Sequence, residues 1–223
     1  MSALTELVAA NVAFVGTHFA MSHPLRAPLV GVLGNVGFQI AYSLVSFATL
    51  GWIYFAFKAA PAADLPGSGD FGWIIATIIT LPAMILLAGS YVSNPAMPTP
   101  KAAEQARAEP KGVFKVTRHP MMWSFALWAF SHIAIHYSWR TMITASAMGF
   151  LALVGAHLQD RKKQVLMGEA WAEWESKTSF WPRWSAIFGA GAFPWAVGLI
   201  FFVFFCWLHL PIGGVPAGIW RWF

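Results

Sequence analysis

The sequence predicts an all-α fold: a polytopic integral membrane protein of about six transmembrane helices in one domain spanning residues 1–223. Three observations predict it. Charged residues make up only 10% of the chain, where an average soluble domain carries about 25%. Hydrophobic residues make up 58%, with 13 Trp and 19 Phe, and mean hydropathy is +0.59. Folded soluble proteins already expose much apolar surface, and a soluble fold of this size cannot hide so much more. The third observation is the sorting of Lys and Arg to alternate connections. Together these exclude a soluble enzyme, a disordered chain and a disulfide scaffold. The single Cys206, within FFVFFCWLHL, reads as a small buried hydrophobe. The basic residues lie between apolar segments and form no stripe, so nucleic acid is not an expected partner.

A helical span needs about 20 mainly apolar residues. Six stretches meet or approach this: Leu4 to Ser22, Val36 to Phe57, Phe71 to Val92, His119 to Tyr137, Thr141 to Leu158 and Ile187 to Leu210. The first has no basic start and no small-residue cleavage site, so it reads as a span and not a signal peptide. Pro82 is expected to kink the third. Glycines in spans two and six (Gly51; Gly189, Gly191, Gly198) allow close helix packing.

Alternation of the spans places the connections 23–35, 93–118 and 159–186 on one side. These carry eleven of the fourteen Lys and Arg, leaving only Lys58, Arg140 and Arg221 for the other. The positive-inside rule then makes the basic loops cytoplasmic and both termini periplasmic, in a bacterial inner membrane. The stretch 93–110, rich in Pro and Ala, reads as a mobile linker. In 159–186, Trp171, Trp174 and Trp181 interleave with Glu and Lys, which predicts a short interfacial helix with its aromatic side down. The Trp-rich tail is expected to anchor at the interface.

Ionisable residues inside spans are functional candidates by default, and here they are almost all histidine. His18, His132 and His157 lie well inside apolar runs, His119, His136 and His209 near span ends, and His23 in a loop. Each alone can be a hydrogen-bonded structural residue, but three on separate spans point to a shared site. Zinc hydrolysis would want a carboxylate or HExxH-type spacing, and no Asp or Glu lies mid-span. No serine-nucleophile, GxGxxG or Walker pattern is present. What remains is haem held between helices by two imidazoles, with Arg26, Arg118 or Lys115 available to its propionates.

FVGTHFAMSHPLR (14–26), VTRHPMMWSFALWAFSH (116–132) and GAHLQDRKK (155–163) resemble the NnrU family over essentially the whole chain. That family is similar to 15-cis-zeta-carotene isomerase. The resemblance implies haem b, with its iron bound axially by His18 and His132 as metal ligands and catalytic residues, and with His119 and His157 as further recurrent histidines. It implies isomerisation of a polyene, a hydrophobic small molecule dissolved in the bilayer. The bacterial members imply instead a role beside nitrite and nitric oxide reduction, as a haem sensor or assembly protein in denitrification. Helix rise places His18 and His132 at depths differing by roughly 12 Å, which favours His157 as the partner of His18. Both pairings stay open, as does the oligomeric state. A vaguer resemblance of the last spans is to the isoprenylcysteine methyltransferases. There His119 would help hold S-adenosylmethionine, although Met122, Ser124 and the Gln159–Asp160 pair depart from that pattern.

Overall fold

Local sequence sets where the helices begin and end. The computed structural model describes residues 2–223, and among these every regular element is helical. Helix α1 (Ala3–Ser22) starts on Ser2, whose hydroxyl accepts the Thr5 amide at 3.2 Å. This satisfies one of the free N-terminal donors. Helix α2 (Arg26–Ala59) is broken at Gly34, which has φ 69° and ψ 172°. Only glycine adopts that conformation without strain. A continuous helix of that length would run about 51 Å, well past a hydrocarbon core of about 30 Å. The break separates residues 26–33 from a spanning segment, 35–59.

Helix α3 (Gly69–Gly89) continues through Pro82. Ala83, Met84, Ile85 and Leu86 directly after the proline are buried among neighbouring helices, where the freed backbone can be satisfied. Helix α4 (Ala102–Arg107) is short. Helix α5 (Pro120–Ile135) opens with proline in its first turn, where no amide partner is lost. At 16 residues it is the one apolar helix shorter than a usual span. Helix α6 (Trp139–Met167) has Ser138 as its cap. Residues 139–158 already cover about 30 Å. From Gln159 onward the helix carries Asp160, Arg161, Lys162 and Lys163, charges whose cost in hydrocarbon assigns this part to the region beyond the span. Helices α7 (Glu169–Lys177) and α8 (Ala192–Gly213) complete the set. Helices α1, α2, α3, α6 and α8 are long and apolar enough to cross a membrane.

Two departures from the sequence reading lie on the face of the basic loops. The stretch 93–118 is not a plain linker. Its α4 packs on α7, held by Arg107–Glu173 and Lys177–Glu109 ion pairs at 3.5 and 3.4 Å. The expected short helix in 159–186 is α7, but Trp171 and Trp174 point into the protein core and not into lipid headgroups. Trp181, 69% exposed, remains available to the interface.

Helix α3 packs between α5 and α8, α6 lies against α5 and α1, and α1 pairs with α2. On the opposite, outer face, Arg140 donates to the Phe57 and Ala60 carbonyls at 3.3 and 3.2 Å and stacks over the Phe57 ring at 4.6 Å. Ser68 and Gly67 donate to Ile135 and His136 carbonyls at 2.9 and 3.0 Å. These bonds tie the 60–68 connection to the end of α5. The tail folds back, with Arg221 on Asp70 at 3.2 Å and over the Trp73 ring at 4.5 Å.

At the α3–α8 crossing a Cβ on Gly198 would stand 2.7 Å from Ile85 Cα, whereas one on Gly51 would meet nothing within 4 Å. Gly198→Ala is therefore expected to lower unfolding stability in detergent by about 1–3 kcal/mol. Gly51→Ala should be neutral or slightly stabilising. Thermal unfolding of the two variants side by side checks this.

Candidate functional site

Two clusters of polar side chains occupy opposite ends of the helices. On the basic face, the chain at 116–119 runs beside 178–183. Arg118 N donates to Ser179 O and Arg183 N to Val116 O, both at 2.8 Å, and Thr117 Oγ1 donates to Phe180 O at 2.8 Å. This clamp aims Arg118 and His119 at one carboxylate, Asp160. Arg118 reaches it by Nε at 3.1 and 3.0 Å and by Nη2 at 2.7 Å. His119 Nε2 donates to Asp160 Oδ1 at 2.8 Å. Glu175 lies 3.7 Å from Arg118 and accepts from Gln164 at 3.0 and 2.9 Å. His119 is fully buried between Phe180 and Trp171, and its Nδ1 has no partner. Burial alone would raise the Asp160 carboxyl above its ordinary range. The hydrogen bonds from His119 and Arg118, with their charge, outweigh that and hold it below.

A cavity of about 40 Å³ adjoins this cluster, lined by Asn94, Met97, Arg118, His119, Met122 and Gln159. Ligand pockets for drug-sized molecules and cofactors run to about 300–1,000 Å³. This one has room for one or two waters, whose share of liquid volume is about 30 Å³ each. Through Asp160, His119 and Arg118 join the start of α5 to α6.

The histidines of the spans fall elsewhere. His18 lies one turn from the basic-face end of α1 and faces α2, its ring 4.2 Å from Phe14 and 5.3 Å from Tyr42. Its Nδ1 donates to Phe14 O at 2.7 Å. Ser46 Oγ is 3.4 Å from its Nε2 but sends its hydrogen to Tyr42 O at 2.8 Å. His157, the alternative partner, is exposed on α6. His23 stands 3.3 Å from Leu158 O, and His136 ends α5 in the left-handed conformation with φ 49°. Arg26 lies over the Phe38 ring at 5.5 Å.

His132 faces α8. Its neighbour there is His209, with ring centroids 6.0 Å apart and planes 31° apart. Each imidazole donates its Nδ1–H to the carbonyl one turn before it: His132 to Trp128 O at 2.8 Å, His209 to Phe205 O at 2.7 Å. A carbonyl only accepts, so the proton sits on Nδ1 and the lone pair on Nε2. The structure thus brings His132 to His209, and leaves His18 on α1 facing Tyr42 and Ser46. The sequence reading set His209 aside as a span-end residue. The available signal was position counted from the outer ends, since His132 lies three residues before Ile135 and His209 four before Gly213. Counting from the outer ends makes them level. Among the described residues, no group of three or more His, Cys, Asp and Glu is arranged to hold a metal ion.

Asp160→Ala strands a buried guanidinium and a buried imidazole, and should cost about 3–5 kcal/mol of stability. Glu175→Gln, at a longer and more exposed pair, should cost under about 1 kcal/mol. Chemical denaturation in detergent checks both. Because the Asp160 carboxyl titrates below its unfolded value, its contribution is fully present above about pH 4. It is lost as pH falls further, through the folded value. Unfolding free energy of the wild type minus that of Asp160→Asn should therefore be flat from neutral pH to about 4 and shrink below it.

A family model described as NnrU protein matches residues 6–217. No curated protein and no solved structure matches the chain. With nearly its whole length matched, the chain belongs to the NnrU protein family.

Proposed function

We propose that this NnrU protein binds haem b within the membrane, where His132 and His209 would hold its iron. The observation that carries the proposal is the 6.0 Å separation of the two rings, each with Nδ1 anchored and Nε2 bare. Imidazole nitrogens bind metal ions at about 2.0–2.1 Å, so two rings sharing one ion have centroids about 6 Å apart. The Nδ1–carbonyl bonds are the outer-sphere contacts that fix ring orientation in metal sites. The donor set fits the group. Bound iron would supply one-electron chemistry at the outer end of α5 and α8.

This reading replaces His18 as the partner of His132 and leaves it as a separate imidazole near the other face. The finer reading, cis–trans isomerisation of a membrane-dissolved polyene as in the zeta-carotene isomerase that the family resembles, is supported by one feature. A shallow, largely open apolar depression of about 470 Å³ lies along α8, lined by Leu199, Ile200, Val203, Phe204, Trp207 and Trp220. It is on the helix that carries His209, and its lining suits a hydrocarbon ligand.

The absorption spectrum of protein purified from haem-replete cells tests the proposal. A low-spin Soret band and split visible bands are expected in the wild type and in His18→Ala, and loss of haem in His132→Ala and His209→Ala. A spectrum that survives both of the latter changes, or a haem-free wild type, overturns it. Loss of haem in His18→Ala with retention in His209→Ala restores the His18–His132 pairing.

A further inference from the structure

Among the described residues, four Lys and Arg side chains have a carboxylate within 4 Å: Arg107, Arg118, Lys177 and Arg221. Three others, brought together on the basic face, have none among the described residues. His23 Nε2 lies 3.3 Å from Leu158 O, which pins the start of α2 to α6. Arg26 follows at once, its amide donating to His23 O at 3.2 Å. Lys162 is one turn beyond Leu158 on the same face of α6, outside the membrane. Lys163 is beside it, 8% exposed, its ammonium donating only to a neutral acceptor, Pro95 O, at 3.2 Å. Burial, with Lys162 and Arg26 adding repulsion, brings the Lys163 ammonium down to about 8, and burial followed by Arg26 lowers Lys162. The contact of His23 with Leu158 O thus brings the Arg26 end of α2 beside the Lys162 turn of α6, where Arg26 also lies over the Phe38 ring at 5.5 Å.

What surrounds them says which anion suits. The Gly34 break sets residues 26–33 apart from the spanning part of α2. Val32 and Val36 flank the break, 84% and 71% exposed. Apolar surface next to a cation cluster at the membrane boundary matches both halves of a lipid: a phosphate for the charges and acyl chains for the valines.

We propose that Arg26, Lys162 and Lys163 form a binding site for the phosphate of an anionic phospholipid headgroup. The site is at the end of the helices opposite to His132 and His209, so its test is independent of the haem reading. Full-length protein in mixed phosphatidylcholine–phosphatidylglycerol vesicles is probed with spin-labelled phosphatidylglycerol and, separately, spin-labelled phosphatidylcholine. The preference for immobilised phosphatidylglycerol should fall about fivefold for each charge removed in Arg26→Gln and Lys162→Gln. It should persist in Arg26→Lys, and in Arg183→Gln, which removes an exposed basic-face charge elsewhere. Equal loss in Arg183→Gln reduces the effect to net charge and overturns the proposal, as does a wild type without preference. Displacement of the labelled lipid by inorganic phosphate alone, with equal effect on a short-chain headgroup analogue, makes free phosphate the ligand and overturns the lipid assignment.

Discussion

The Asp160 carboxylate is the point on which the basic-face layer turns. It gathers a guanidinium and an imidazole from consecutive residues just before α5, and so fixes how α5 enters the bundle relative to α6. The backbone bonds between 116–119 and 178–183 add the segment after α7 to the same joint. Trp171 and Trp174 then close it from outside the membrane. In hydrocarbon, helices gain little from apolar burial against one another. A buried, charge-assisted joint beyond the lipid is a means of specifying register that the spans lack. The orientation of α5 set there is also what carries His132 to its place at the far end.

The same joint explains why the motif around His119 reads as chemistry in the sequence. An Arg-His-Pro run beside a membrane boundary has the residues of a cofactor cradle. Its geometry spends both side chains on Asp160 and leaves a cavity of about 40 Å³. Arg118 and His119 Nε2 are engaged by Asp160, while His119 Nδ1 keeps no partner.

Much of the architecture was legible in the chain, because span length and charge sorting are one-dimensional quantities. The apolar stretches match α1, the longer part of α2, α3 and α5 within three residues, whereas α6 runs nine residues beyond its stretch and α8 starts five residues after the start of its own. The parts that were not legible depend on partners distant in sequence. Trp171 and Trp174 have the spacing of an interfacial stripe, and only the fold of 93–118 over them turns them inward. The histidines show the same division. Residue type correctly marked them as the polar content of the spans, but pairing needs azimuth as well as depth. His18 turns toward α2 and His132 toward α8, which no count along a single helix reveals.

In the outer pair, each ring is oriented by a carbonyl of its own helix, one turn back. The aim of each imidazole is thus a property of an isolated helix and exists as soon as that helix has formed. Only the distance between them waits on assembly. Helix α8 follows α5 by two membrane-spanning helices in chain order and packs on α3. A ligand that takes both imidazoles, as proposed above, would therefore need α3, α5 and α8 together.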